Sequence, residues 1–171
     1  MKKSSRGFSL IELLIVVAII LIIAAIAIPN LLRSRIAANQ ASAVGSLRTL
    51  NTAEVTYSVT YNTGYTTTLG DLGPPATGSN PVATAAGLID SVLAGSASGG
   101  ATATTSTKSG YIFVYATPGT DASGRIDTYS ITATPITVAT TGTNFYYTDQ
   151  SGVIRQNSTA VAGSTDSPLA G

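Results

Sequence analysis

The most pronounced pattern in the chain is an unbroken apolar run near its N-terminus. Residues 8–28 are apolar except for Ser9 and Glu12. As an α-helix, which rises about 1.5 Å per residue, this run is about 30 Å long and matches the hydrocarbon core of a bilayer. The pattern therefore predicts a membrane-spanning helix that reaches Pro29.

Helical periodicity resumes directly after Pro29 and extends to about Tyr61. The recurrence of residues at spacings of three and four predicts one face of an amphipathic helix. That face comprises Ile36, Gln40, Ala43, Leu47, Leu50, Glu54, Tyr57 and Tyr61. Because Pro29 lacks an N–H and crowds the carbonyl of Ala25, we expect a kink or a local opening of the helix there.

The rest of the chain alternates between breakers and short β-prone runs. Asn62-Thr63-Gly64 ends the helix, and a Gly/Pro/Ser/Thr/Ala-rich connection covers residues 66–109, with a short helix predicted over 86–94. Alternating aromatic and β-branched residues predict strands over 111–116, 126–134, 144–148 and 152–156. Turns are expected at 118–124 and 149–152.

These elements predict an α+β fold in which one long N-terminal helix packs against a small antiparallel sheet. The expected organisation has four parts. They are a leader (1–7), a transmembrane or filament-core helix (8–29), its amphipathic continuation (30–61), and a globular β-rich head with a loose C-terminal tail (62–171).

The composition of the chain argues against several classes of function. Of the 171 residues 10% are charged, the formal net charge is +1, and there is no cysteine or histidine. Without clustered Lys and Arg there is no footprint for nucleic acid, and without cysteine there are no disulfides or thiolate metal sites. The usual general base is also missing, and no nucleophile–base pair or phosphate loop is evident. We therefore predict no enzyme, no cofactor, no metal and no specific nucleic-acid partner.

The charges near the N-terminus predict an orientation. Lys2, Lys3 and Arg6 hold the leader on the cytoplasmic side, so that the rest of the chain is exported. An ordinary secretory signal peptide is the alternative, because Ala25-Ile26-Ala27 fits a cleavage site. Against it, the apolar run exceeds the usual h-region of about 7–15 residues, contains Glu12, and continues into a second helical stretch.

Glu12 is the one carboxylate in the apolar run. A charge inside a membrane helix costs about 2.5–3.5 kcal/mol on insertion scales, so such a residue normally has a partner. If the leader is removed between Gly7 and Phe8, the new α-amine of Phe8 lies one helical turn before Glu12. Glu12 could then pair with the Phe8 amine of a neighbouring copy. A tolerated charge near the headgroups is the alternative.

The segment Gly7-Phe8-Ser9-Leu10-Ile11-Glu12-Leu13-Leu14-Ile15-Val16-Val17-Ala18-Ile19-Ile20 resembles the prepilin signature of type IV pilins and type II secretion pseudopilins. The resemblance runs from Arg6 through Pro29 and Asn30. It implies that a prepilin peptidase cuts after Gly7 and N-methylates Phe8, and that Glu12 is the assembly carboxylate. It also implies that the stretch around Pro29 can unwind in a filament.

The resemblance implies a structural subunit that is held in the inner membrane by a single pass with its N-terminus cytoplasmic. Assembly machinery of a pilus or secretion system would then polymerise it into an extracellular helical filament of identical copies. The alternative is a pseudopilin or a minor tip subunit whose head binds DNA, a surface or secretion cargo. The chain lacks the cysteine pair of many type IV pilins.

Three other patterns have ordinary structural explanations. Asp121, Asp127, Asp149 and Asp166 suggest a calcium site, but turn capping is the favoured interpretation because no EF-hand spacing is present. Tyr57, Tyr61 and Tyr65 are expected to pack between helix and sheet. Asn157-Ser158-Thr159 matches a glycosylation pattern that also occurs frequently by chance.

Overall fold

The computed structural model describes residues 8–95 and 103–169. Its first element is a single long helix. This helix, α1, spans Leu10–Tyr61 and contains Pro29. The chain divides into two units, Met1–Arg35 and Ile36–Gly171, so α1 contributes to both.

The helix is continuous around Pro29. The Nδ2 group of Asn30 donates to the carbonyl of Ile26 at 3.1 Å, and the hydroxyl of Ser34 donates to the carbonyl of Asn30 at 3.1 Å. These side chains add hydrogen bonds to the turn in which proline removes one. The local opening is therefore not present in this structure, and the kink stays a prediction.

In the second unit α1 buries one face in the core of the head. The predicted face is confirmed at Ala43, Leu47, Leu50, Glu54 and Tyr57, all of which are buried. Their core partners come from the sheet and the connection, and include Leu69, Leu72, Leu93, Tyr111, Phe113, Tyr115, Tyr129, Ile131 and Tyr146. The opposite face is exposed at Val55 and Val59, so this half of α1 is one-sided.

The head contains a five-stranded antiparallel sheet whose strands follow each other in chain order. The strands are β1 (Thr105–Lys108), β2 (Tyr111–Ala116), β3 (Ser130–Pro135), β4 (Phe145–Asp149) and β5 (Arg155–Asn157). Alternation along β2 buries Tyr111, Phe113 and Tyr115. The predicted α+β class is confirmed.

Strand β1 falls in the stretch that the sequence analysis assigned to a connection. Its residues, Thr-Ser-Thr-Lys, carry no large apolar side chain. The turn that joins it to β2 places Ser109 at φ 50° and Gly110 at φ 76°. Two successive positive φ values are typical of the tight turns that match the twist of a hairpin. The turn therefore accounts for β1 better than strand propensity does.

The predicted strand over 126–134 starts later, at Ser130. Ile126 instead forms an isolated parallel bridge with Gly64, and its carbonyl accepts from the N–H of Tyr65 at 2.8 Å. A Cβ on Gly64 would lie 2.2 Å from that carbonyl oxygen, so the close approach requires glycine here.

The short helix predicted over 86–94 is wrong. The N–H groups of Ala86, Gly87 and Leu88 donate to carbonyls of Asp71, Gly73 and Leu72, at 2.8 to 2.9 Å. These carbonyls belong to the 3-10 helix Leu69–Leu72 and its C-cap. Gly87 adopts φ 69°, which a right-handed helix does not allow, and only a turn follows at residues 91–95. The apolar side chains of this segment still reach the core.

The segment after Gln156, expected to be loose, is bound to the head as far as it is described. The N–H of Gln156 donates to Ser167 at 3.0 Å, and that of Leu169 donates to Ile154 at 2.8 Å. Arg155 donates from Nη1 to the carbonyl of Asp166 at 2.9 Å. The polar composition of this segment concealed these contacts, because most of them use backbone groups.

A buried carboxylate lies where α1 meets the connection. Glu54 is completely buried. Its Oε2 accepts from the N–H of Thr66 at 3.0 Å, and its Oε1 accepts from the hydroxyl of Thr66 at 2.6 Å. The hydroxyl of Tyr115 donates to the carbonyl of Thr66 at 2.8 Å. Burial raises the pKa of Glu54, and the hydrogen bonds from Thr66 oppose this shift.

Asn51 joins α1 to the sheet one turn earlier. Its Nδ2 group donates to the hydroxyl of Thr148 at 2.8 Å, and its Oδ1 accepts from the hydroxyl of Tyr129 at 3.1 Å. Hydrogen bonds of fixed geometry restrict sliding of a helix over apolar side chains. Asn51 and Glu54 together therefore set the position of α1 on the head.

Shortening a core side chain should destabilise the head. Leu47→Ala keeps the helix propensity high but removes a fully buried side chain, so we expect a loss of about 2–5 kcal/mol in the free energy of unfolding. Val59→Ala, at a side chain 79% exposed, is the matched control and should change it by about 0.5 kcal/mol or less. Denaturant titration of the full chain in detergent measures both. Equal losses would contradict the assigned core.

The raised pKa of Glu54 predicts greater stability in acid. Its contribution is complete below the unfolded value of 4.5 and is lost as pH rises through the folded-state pKa. The loss is about 1.4 kcal/mol for each unit that separates the two values. The negative charge of Asp71 also raises the pKa of Glu54, whereas a hydrogen bond with Tyr115 lowers it.

Glu54→Gln imitates the protonated acid, since its amide can donate to the Thr66 hydroxyl and accept from the Thr66 N–H. Denaturant titrations across a pH series should show native and variant chains close together in acid. They should also show the variant more stable at higher pH. Parallel stability curves would contradict this role.

Candidate assembly and processing site

The residues predicted to act in processing and assembly lie at the start of α1. Gly7, the predicted residue before the cut, lies outside the described residues. Phe8 is described, and its side chain is 81% exposed. Glu12 is in the first turn of α1 and is also exposed.

Glu12 caps the helix that carries it. Its Oε2 accepts from the backbone N–H of Ser9 at 2.8 Å, and the N–H of Leu13 donates to the carbonyl of Ser9 at 3.2 Å. Ser9 immediately precedes Leu10, so the contact is the arm of a capping box that runs from a glutamate back to the N-cap backbone. The helix N-terminus also favours an anion at this position.

This contact fixes where the carboxylate points. The sequence analysis predicted the charge of Glu12 but not its cap, although Ser-x-x-Glu before an apolar run is a signal for one. Because Glu12 accepts a hydrogen bond at the helix start, it lies beside the N-terminus of the mature chain, if the chain is cut before Phe8. No acidic residue occurs between Glu12 and Glu54 in the sequence.

The surface around Glu12 is apolar on every side. Large apolar side chains are exposed from Phe8 to Leu32, among them Leu10, Ile11, Leu14, Ile22 and Ile26. An 18-residue window of α1 has a mean hydropathy of 3.3 and no buried residue. By length and composition the helix can cross a membrane, a test that a signal sequence also passes. Apolar surface of this extent needs lipid or protein to cover it.

The capping role predicted for the aspartates is confirmed at Asp121 and Asp149. Asp121 accepts from the N–H groups of Ser123 and Arg125 at 2.8 and 2.9 Å. The hydrogen bonds from Ser123 are the main cause that lowers the pKa of Asp121. Asp149 accepts from the N–H of Ser151 at 2.9 Å.

Asp127 and Asp166 have separate local partners. Asp127 pairs with the guanidinium of Arg125 at 3.3 Å. Asp166 accepts from the N–H of Gly163 at 2.8 Å and from Nδ2 of Asn157 at 2.9 Å. The Oδ1 of Asn157 accepts from the N–H of Thr159 at 2.9 Å. The side chain in the glycosylation pattern is therefore part of a turn.

The tyrosine series takes part in packing. Tyr57 is buried in the core, and its ring lies 4.8 Å from that of Tyr61. Tyr65 follows the end of α1 and meets Tyr129 edge-on at 4.7 Å. Tyr61 and Tyr65 are partly buried against the core that α1 and the sheet form together, so the predicted packing role is confirmed.

Comparison with known families gives a match at the N-terminus. The prokaryotic N-terminal methylation motif matches residues 2–28, which contain both sides of the predicted cut. Residues 10–28 of the matched segment belong to the exposed apolar part of α1.

Two relatives are similar over the same end of the chain. The type IV major pilin protein PilA of Myxococcus xanthus is 51% identical over 53 residues, which are 31% of this chain and 24% of the relative. The type IV wide pilus major component PilA4 of Thermus thermophilus is 62% identical over 37 residues, 22% of this chain and 28% of the relative. The chain thus spans about a quarter of each relative. No solved structure matches significantly. The resemblance to type IV pilins is confirmed.

Proposed function

We propose that this chain, whose N-terminal segment is that of the type IV pilin family, is a structural subunit that polymerises through its apolar helix into an extracellular filament. The observation that carries the proposal is the exposed apolar first half of α1, which contains one carboxylate, Glu12, in its first turn. The two relatives are named as a major pilin and a major pilus component, which favours a major subunit over a tip subunit or a pseudopilin.

Processing is the first step. A prepilin peptidase cuts between Gly7 and Phe8 and methylates the new amine of Phe8. The methylated amine remains a cation, so the cut places a positive charge beside an apolar helix. The exposed position of Phe8 supports access to this site.

Before assembly, the membrane buries the apolar helix. The subunit sits in the inner membrane as a single pass with its N-terminus cytoplasmic, and the head is exported. This orientation follows from Lys2, Lys3 and Arg6 before the apolar run. Assembly machinery then moves the helix from lipid into contact with the helices of other copies, where apolar surface is again covered.

Pairing between copies sets the axial register. The Glu12 carboxylate of one subunit binds the methylated Phe8 amine of its neighbour in the apolar interior of the filament. Such a pair is strong only when both charges are shielded from water and no other charge competes. The absence of any other acidic residue before Glu54 makes Glu12 the sole partner within this part of the sequence.

Two substitutions of Glu12 separate pairing from capping. Glu12→Gln can still accept from the N–H of Ser9 but has no charge, whereas Glu12→Ala loses both. If pairing drives assembly, both variants should be processed and membrane-bound. Both should then give roughly tenfold or more lower filament yield, which corresponds to a lost charged hydrogen bond. Sheared filaments measured against total subunit give the yield, and a native yield from Glu12→Gln would exclude pairing.

Gly7→Leu tests the cut. A bulky residue before the scissile bond should block processing, whereas Ser4→Leu, further from the bond, is the control and should be processed normally. Mass analysis of the mature N-terminus reads the result directly. Methylated Phe8 is expected in the native chain; a mature chain that begins at Ile28 would show an ordinary secreted protein.

A further inference from the structure

We propose that Arg33 and Arg35 bind the phosphate groups of anionic lipids on the exported side of the membrane, while the subunit waits there for assembly. The inference rests on the proposed membrane-anchored state. It assigns a role to two residues just beyond the apolar run that the pairing mechanism does not use.

The spacing of charges along α1 matches the thickness of a bilayer. Between Glu12 and Arg33 no side chain is ionisable. These residues are 21 positions apart, which is about 31 Å along a helix. The hydrocarbon core is about 30 Å thick. When Glu12 lies at one boundary of the core, Arg33 therefore lies at the other, in the headgroup layer.

The two guanidinium groups lie on different sides of the helix. Two residues along an α-helix correspond to a rotation of about 200°, so Arg33 and Arg35 point in nearly opposite directions. Both are exposed. One helix thus presents a cation to headgroups on either side, and two lipids can bind without competing for one position.

Local competitors for these cations are missing from the sequence of the helix. Leu13 to Ala53 contains three arginines, at positions 33, 35 and 48, and no acidic residue. The neighbouring polar side chains, Asn30 and Ser34, donate to backbone carbonyls of the same helix. A guanidinium with no carboxylate nearby binds a phosphate oxygen pair in a bidentate way, which an ammonium cannot do.

The chemistry leaves two sources of phosphate, a lipid headgroup and free inorganic phosphate. The position of the arginines next to an apolar helix favours the headgroup, because long side chains at helix ends extend into that layer while their stems stay in apolar surroundings. Anionic lipids at a surface attract basic residues with an energy that falls within a Debye length. The site should therefore select anionic over zwitterionic lipid.

The test measures lipid selectivity around the full chain in phosphatidylcholine vesicles. Spin-labelled phosphatidylglycerol and spin-labelled phosphatidylcholine are each added, and the ratio of their immobilised fractions gives the preference for the anionic lipid. The chains are native, Arg33→Gln/Arg35→Gln, and Arg48→Gln. Arg48 is an exposed arginine on the same helix, 15 positions beyond Arg33, and serves as the matched control. Leader cations are common to all three chains, so their effect cancels.

We expect the preference for phosphatidylglycerol to fall by roughly fivefold in Arg33→Gln/Arg35→Gln. Each bound lipid contacts one arginine, and one arginine near an anionic headgroup contributes about this factor. Arg48→Gln should keep the native preference. An unchanged preference in the double variant would overturn the proposal. So would displacement of the lipid by inorganic phosphate beyond that caused by chloride at equal ionic strength, because the site would then belong to the free ion. A native chain that fails to co-sediment with vesicles would instead contradict the membrane-anchored state itself.

Discussion

The exposed apolar surface at the start of α1 is the constraint on which the rest of the molecule depends. From Phe8 to Leu32 the large apolar side chains are exposed. At about 25 cal/mol for each square ångström, such a surface cannot remain in water. Lipid and a bundle of identical helices can both bury this surface. In the proposed function, the helix of each subunit moves from the first environment to the second.

The second half of α1 is built differently because it has a partner in its own chain. Its buried face packs against the aromatic side chains of β2 and against Tyr129 and Tyr146, while Asn51 and Glu54 add hydrogen bonds of fixed geometry. Leu47 and Leu50 bury apolar surface, whereas Asn51 and Glu54 hold this part of the helix in one position on the sheet. The head can therefore hold its stretch of helix in one place without a disulfide, since the sequence contains no cysteine.

The sequence predicts the structure where hydrophobic periodicity determines it, and does not where backbone hydrogen bonds between distant segments determine it. The apolar run and the face through Leu47, Leu50 and Tyr57 follow from periodicity, which depends directly on what is buried. The connection could not be predicted in this way. Residues 86–88 bond to the backbone around Leu72, and the N–H of Gln156 bonds to Ser167, through groups that every residue carries. The cap made by Glu12 is predictable from Ser-x-x-Glu, because a glutamate three residues after the N-cap can reach back to the N-cap N–H.

The hydrogen bond from Ser9 to Glu12 means that the two groups of the proposed pair become available at different times. The acceptor is already oriented in a chain that still carries its leader, because the cap needs only backbone and side chain of the same turn. The donor exists only after the peptide bond before Phe8 is broken. An unprocessed copy could thus receive a mature neighbour but offer nothing to the next one. It would act as a terminator of growth, and the completeness of proteolysis would limit the length of the fibre.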